Sequence, residues 1–475
     1  MDKTLFICAD HALAIIYFLQ SEVVETLLDG GRQVVLLVDE ALQDHLAGRF
    51  GRPGLSFEGL RLTQAQAYAE GEQKEIQWWL QFMRRVGGSW RINTAAMDSY
   101  VRQVAVEEPN RRRILMPLSW ILLAGLRSSS AARKLLLTIQ NRYTPMIYDD
   151  LFDRYRPELV IASTPGWRLD RYLLREARRR GVPTASVIVG WDNPSSYSLP
   201  GAQVDRASCW SEIQREELVL GADWDPERVH VGGIPSYDGY FRETWRLPRE
   251  AYFKQHGLDP QRKLLSYACS FVSFAPNARN VEALARLVSS DSLAAPCQLL
   301  VRLHPNHFME IPLFREEREH IRRLGQELAH VRVVEPVPLG GDLTYYSGED
   351  MQEKSSMMAY SDVFLTVYST MVVETAIHGR PIISVCLDTP GGWAAPRKYS
   401  LPLSQIGNWP THKRFRDSGA GRVVYNEHEL REAIDLYLER PDTDAEARRR
   451  FVEQEVTFTD GSAGRRTGEY LLSLS

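Results

Sequence analysis

Ser369, Thr370 and Glu374 stand in a stretch, residues 360–388, that reads YSDVFLTVYSTMVVETAIHGRPIISVCLD. The apolar run 363–367 has the pattern of a buried parallel strand, a polar turn follows at 368–370, and a helical pattern then runs to Gly379. Pro381 opens a second β-branched run, so the unit reads as βαβ and requires a parallel sheet. Hydroxyls and unpaired backbone N–H groups at the helix start suit a phosphate, and Glu374, one turn on, suits a ribose hydroxyl pair. The plainer reading is that Ser369 caps the helix and Glu374 is a solvated helix residue.

A second group of residues points to the same chemistry. The strand pattern at 298–303 delivers Arg302 and His304 in the turn RLHPN, where a guanidinium and an imidazole two residues apart suit phosphate charge. A histidine that merely caps the turn explains the same residues. Ser270 and Ser273 follow the strand pattern 264–269 in a small polar turn. In the first half, Asp10 and His11 end the strand pattern 4–9, and Asp192 and Asn193 follow the strand pattern 182–189. Carboxyl ends of parallel strands are where such sheets place their chemistry, so Asp10 and His11 are candidates for general base, His11 foremost because an imidazole titrates near neutrality, and Asp192 and Asn193 are candidates for contacting a ligand. Helix capping by His11 and Asx-turn chemistry at Asp192 are the structural alternatives.

These residues need two α/β halves to hold them. A chain of 475 residues exceeds one core. Strand and helix patterns alternate from residue 4, and a polar stretch after Tyr240 separates two doubly wound series. We expect an N-terminal Rossmann-like domain over 1–240 with a helical insert at about 64–157, a second over 241–445, and a C-terminal helix at 446–475. Residues 114–126 are an apolar run flanked by arginines. A buried core element is the expected form, and a segment lying on a membrane surface is the alternative. A net charge of −4 argues against a nucleic-acid partner, and five cysteines with no CxxC pair read as buried thiols of a reducing compartment. With no signal-peptide pattern, the cytoplasm is the expected location, extending to the inner face of a membrane. The Asp442/Asp444 pair sits ahead of a helix as a capping loop, so no metal is assigned to it, and there is no GxGxxG, Walker or HExxH motif.

Taken together, the RLHPN turn, SDVFLTVYST with Glu374 and HGRPII, GWDNPSS at 190–196, VGGIPSYD at 231–238 and TDGSAGRR at 459–466 resemble the nucleotide-sugar glycosyltransferases of the GT-B fold. Within these the likeness is to bacterial enzymes of surface polysaccharide assembly, including relatives of the CDP-glycerol glycerophosphotransferases. The resemblance implies two Rossmann-like domains facing a cleft, the first binding the acceptor and the second the nucleotide donor, with the C-terminal helix at 446–475 crossing back to the first. Arg302 and His304 would hold the donor diphosphate, Ser369 and Thr370 its phosphates, and Glu374 the ribose, with Ser270 and Ser273 beside them. A glycan or lipid-linked acceptor would be deprotonated by His11, Asp10 or Asp192. No metal or other cofactor would be required, since the donor is itself the substrate, and peripheral membrane contact would accompany a lipid-linked acceptor. The chain departs from the glycerophosphotransferases in having Glu374 for their usual Asp and in its large first domain. Glycerophosphate transfer, a UDP-GlcNAc 2-epimerase-like activity and a non-catalytic binding module are the alternatives.

Overall fold

The computed structural model describes residues 3–271, 277–337, 339–387 and 402–475. They form two compact units, one of residues 1–238, 339–347 and 456–475, the other of residues 239–338 and 348–455.

The first unit is built on seven strands: β1 (Thr4–Cys8), β2 (Gln33–Val38), β3 (Leu55–Gly59), β4 (Leu159–Ala162), β5 (Thr184–Val187), β6 (Arg206–Cys209) and β7 (Val229–Val231). All pairings are parallel, in the order β3-β2-β1-β4-β5-β6-β7. β1 and β4 are buried along their whole length, which is why they read as continuous apolar runs without alternation. The chain builds outward from β1 to β3, then returns to β4 and builds the other way. The order therefore reverses between β1 and β4, and the loops leaving these strands diverge and open a crevice.

The second unit repeats the scheme with β8 (Lys263–Ala268), β9 (Cys297–Arg302), β10 (Val331–Val334), β11 (Val363–Thr366), β12 (Ile382–Val385) and β13 (Arg422–Val424). Its order is β10-β9-β8-β11-β12-β13, again all parallel, with the reversal between β8 and β11. The fold class is thus α/β with two Rossmann-like, doubly wound parallel sheets.

The partition differs from the sequence reading at two places. Residues 339–347 belong to the first unit: the Leu343 N–H donates to Asp39 (3.0 Å), the Tyr346 N–H to the Ala12 carbonyl (2.9 Å), and the Tyr345 hydroxyl to the Ala9 carbonyl. Most of the helix Ala445–Val456 stays with the second unit, where Phe451 packs edge-on against Phe415, and the return to the first unit falls at Val456. The final helix, Ala463–Leu472, lies on the helix Val23–Asp29, and Gly464 and Gly468 permit the approach, since a Cβ at either would collide with Glu22 or Thr26.

The helical segment between β3 and β4 contains Leu62–Ala69, Lys74–Val86, Ala95–Glu107, Asn110–Ser128, Ser130–Gln140 and Asp149–Tyr155. Its own core gathers Phe82, Val86, Met97, Val101, Leu123 and Leu126. Residues 114–126 correct the expectation of a buried element: Met116, Ser119, Leu123 and Leu126 face inward, while Ile114, Leu115, Leu118, Ile121 and Leu122 are exposed. The five cysteines are buried and form no disulfide, and burial raises the pKa of Cys8, Cys209, Cys269 and Cys297.

Asp238 secures the end of the first unit, its carboxylate accepting the N–H groups of Ala463 (3.0 Å) and Gly464 (2.7 Å) at the start of the final helix. Asp238→Ala leaves two buried donors unpaired. It should cost roughly 1.5–3 kcal/mol, read as faster hydrogen exchange over residues 463–472 and a lower urea midpoint.

Candidate functional site

In the second unit, the carboxyl ends of β8, β9 and β11 bring Ser270, Arg302, His304, Ser369, Thr370 and Glu374 to one edge, around the reversal point. Ser273 lies outside the described residues. The side chains at this edge differ in how free they are. Arg302 is buried, and its guanidinium is clamped by the carboxylates of Asp350 and Glu353. Its charge is thereby matched inside the protein, which corrects the expectation of a guanidinium open to a diphosphate. The two acids that clamp it lie 48 and 51 residues further along the chain.

His304 caps the short turn of helix Pro305–Phe308, its Nδ1 accepting the Asn306 N–H at 3.1 Å. With Nδ1 occupied as acceptor, the ring proton sits on Nε2, which makes His304 a donor. Burial, reinforced by the neighbouring His307 and the charges of Arg302 and Lys354, lowers its pKa to about 3. It therefore works at neutral pH as an uncharged imidazole, and the expected cationic contact becomes a neutral N–H donor.

Behind it runs a buried relay that sequence reasoning missed. His307 Nε2 meets Glu317 at 2.9 Å, Glu317 accepts the Ala278 N–H, and Asn277 bonds both Glu317 and the backbone of Ser270. Asn277 Oδ1 also takes the Tyr267 hydroxyl. The relay fixes the ends of β8 and β9 to each other, so the Ser270 backbone is committed to it. The second histidine of HPNH was the available signal.

Glu374 is buried rather than solvated. Its Oε2 accepts the Tyr240 hydroxyl and forms an ion pair with Lys354 Nζ at 2.6 Å. Tyr240 and Lys354 are further residues that the sequence reading passed over. Ser369 Oγ accepts the Met371 N–H at 3.2 Å, opening the helix Met371–Ile377, with Thr370 at the N-cap position. Tyr368 before it takes a positive φ of 38°, a left-handed conformation costly for an aromatic residue, and its ring stacks on His412.

In the first unit, Asp10 and His11 leave β1 and face the loop after β4. Asp10 is buried with both oxygens engaged: Oδ2 accepts the Asp170 N–H at 2.8 Å and Oδ1 the Arg168 guanidinium at 3.3 Å. Asp170 in turn accepts the Thr164 hydroxyl (2.5 Å) and the Arg168 N–H (3.1 Å). Burial raises the pKa of both acids, and the charge of Asp10 raises Asp170 further, to about 7. Arg168 pairs with Asp10, so Asp170 is the acid that retains the proton. His11 Nδ1 accepts the Leu13 N–H at 3.1 Å, leaving its proton on Nε2, and burial together with the charge of Arg168 lowers its pKa to about 3. This differs from the neutral-range base expected of it. Asp192 lies one strand further out, past β5, at the head of the helix Asn193–Tyr197. It is partly exposed and burial raises its pKa.

Among the described residues no group of three or more His, Cys, Asp or Glu side chains is arranged to hold a metal ion. No protein-family model matches the chain, and no curated protein matches its sequence. Solved structures do. A UDP-GlcNAc 2-epimerase from Neisseria meningitidis bound to UDP-GlcNAc superposes with a TM-score of 0.53 at 12% identity, over 99% of this chain and 100% of that one. The S. aureus MnaA–UDP structure gives 0.54 at 12%, over 100% and 98%. A glycosyltransferase from Rickettsia africae gives 0.50 at 10%, over 99% and 98%.

Two outcomes test the site's electrostatics. Removing the guanidinium from its carboxylate clamp, as in Arg302→Ala, strands two buried acids and should cost about 3–5 kcal/mol of stability in denaturant melts. An intact melt would return Arg302 to the group of ligand-binding residues. Asp170 holds a proton when folded that it loses when unfolded, so its contribution is full below the ordinary carboxylate pKa and fades as pH rises towards 7. Stability of Asp170→Asn should therefore improve relative to the parent between pH 4 and pH 7.5; parallel stability–pH curves would show that Asp170 is ionised throughout.

The chain has the fold of GT-B, common to these nucleotide-sugar epimerases and glycosyltransferases.

Proposed function

We propose that the protein is a glycosyltransferase that moves a sugar from a nucleotide-activated donor to a hydroxyl of a glycan or lipid-linked acceptor. The observation that carries this reading is the group at the reversal point of the second unit: His304 with an Nε2–H donor, Lys354, the hydroxyls of Ser369 and Thr370, and Glu374 held by Tyr240. A nucleoside diphosphate needs donors on its phosphates and a fixed carboxylate on its ribose, and these side chains supply both. Lys354 takes the part that the sequence had given to Arg302.

In the transfer, the acceptor oxygen forms a bond to the anomeric carbon as its proton passes to a base, and the bond from that carbon to the diphosphate breaks. Donors on the phosphates stabilise the departing charge. Among the three acceptor-side candidates, Asp10 has both oxygens committed and His11 presents a proton, so both act as positioning residues. Asp192 is assigned as the base, because burial makes its partly exposed carboxylate more basic than an ordinary one. The assigned machinery uses no metal.

Epimerisation is the second reading, favoured by the fold shared with UDP-GlcNAc 2-epimerases. Inverting a ring carbon by proton removal and return would take deuterium from D2O into the recovered nucleotide sugar, whereas transfer would not. A thermal-shift panel of UDP, GDP, CDP, CMP and dTDP identifies the nucleotide first.

His304→Ala should then weaken nucleotide binding on the order of tenfold to a hundredfold, since the lost contact is to a charged phosphate. Unchanged affinity by calorimetry would remove the diphosphate from this edge. Asp192→Asn should lower turnover on the order of 10² to 10⁴ and leave nucleotide affinity intact. A variant that turns over normally would remove Asp192 from the role of base.

A further inference from the structure

The helix Asn110–Ser128 is apolar on two sides. Arg112, Met116, Ser119, Leu123, Leu126 and Arg127 recur at helical spacing and face the local core, as any packed helix requires. The opposite stripe is equally apolar and open to solvent: Ile114 is 76% exposed, Leu118 56% and Ile121 72%, with Leu115 and Leu122 alongside. A Cβ added at Gly125, one turn beyond Ile121, would meet nothing. Trp120 is also exposed and borders a shallow groove of about 880 Å³ with Arg113, Ile114 and Pro117. The exposed leucines and isoleucines form a stripe along one helix, which is unlike the scattered apolar residues of an ordinary surface.

The segment that carries the stripe holds side-chain charge of one sign. From Asn110 to Tyr148 there is no Asp or Glu, while Arg111, Arg112, Arg113, Arg127, Arg133, Lys134 and Arg142 are all present, in a chain whose net charge is −4. Three arginines in the first turn oppose the helix dipole, so helix stability does not explain them. Arg112, Arg127 and Arg133 are buried and paired with carboxylates, and Arg111 meets Glu75. Arg113 and Lys134 are exposed and have no ion pair among the described residues. Among those residues no single helix is long and apolar enough to cross a bilayer; this helix and the next are bent by 113° to each other.

We propose that the Asn110–Ser128 helix is a membrane-docking element, laying its outer stripe along the acyl boundary of an anionic bilayer with Arg113 and Lys134 at the headgroup phosphates. An interfacial helix needs an apolar face, basic flanks and an aromatic residue at the headgroup level, and this one has all three. A second copy of the chain fits less well. Self-association on this stripe would set basic flank against basic flank, with no acid in either helix to receive it.

The test uses the whole chain with sucrose-loaded vesicles of phosphatidylglycerol and phosphatidylcholine, or of phosphatidylcholine alone, read by co-sedimentation. Binding should be strong only with the anionic lipid. Leu118→Glu with Ile121→Glu should reduce it at least tenfold while the thermal melt stays unchanged, since neither side chain is packed. Arg113→Ala or Lys134→Ala should each lower it about fivefold on the anionic vesicles alone. Absence of vesicle binding by the parent chain would overturn the proposal. So would binding that survives the double glutamate variant, or a concentration-dependent dimer that the variant abolishes without any vesicle binding.

Discussion

Every strand in both sheets runs the same way as its neighbours, and that single constraint places the chemistry. A parallel strand cannot turn back into its partner, so each connection crosses over the sheet and each loop at the carboxyl edge is left to itself. Where the order reverses, between β1 and β4 and between β8 and β11, adjacent loops leave in opposite directions and leave room for a ligand. The candidate residues gather at those two places. Arg302 and His304, which leave β9, and Asp192, which follows β5, each lie one strand away from a reversal point.

Electrostatic matching decides what each residue is free to do. Arg302 spends its charge on Asp350 and Glu353, and Arg168 spends much of its own on Asp10. Both histidines at the strand ends accept a backbone N–H on Nδ1, which fixes the tautomer and turns a titrating group into a neutral donor. Lys354 and Glu374 neutralise one another, yet both stand at the edge of the second sheet, where an incoming phosphate and a ribose could each compete for one partner.

The strands were the legible part of this chain. Runs such as Leu5 to Cys8 and Val363 to Leu365 are apolar at every position because both faces of the strand are covered. The βαβ unit around Ser369 was readable for the same reason. Partnerships were not. Nothing near Arg302 in sequence signals that its acids come from the helix Met351–Tyr360 and the residue before it, and nothing near Glu374 signals Tyr240, 134 residues earlier. The proton positions on His11 and His304 depend on backbone N–H groups two residues on, which only the turn geometry supplies. The 114–126 run was misjudged for a physical reason: a helix apolar on both sides looks in sequence like one that is buried on both sides.

The detour of residues 339–347 into the first unit, and the return of residues 456–475 to it, have a consequence for synthesis. The first sheet is complete in sequence by Val231, yet Asp39 and the Ala9 carbonyl await partners some 300 residues downstream, and Asp238 awaits amides more than 200 residues further on. The unit that begins first on the ribosome therefore finishes last. During that interval its β1 and β2 loops and the face of the helix Val23–Asp29 stand uncovered, a long-lived exposure of apolar surface of the kind that engages chaperones while the second unit is being made.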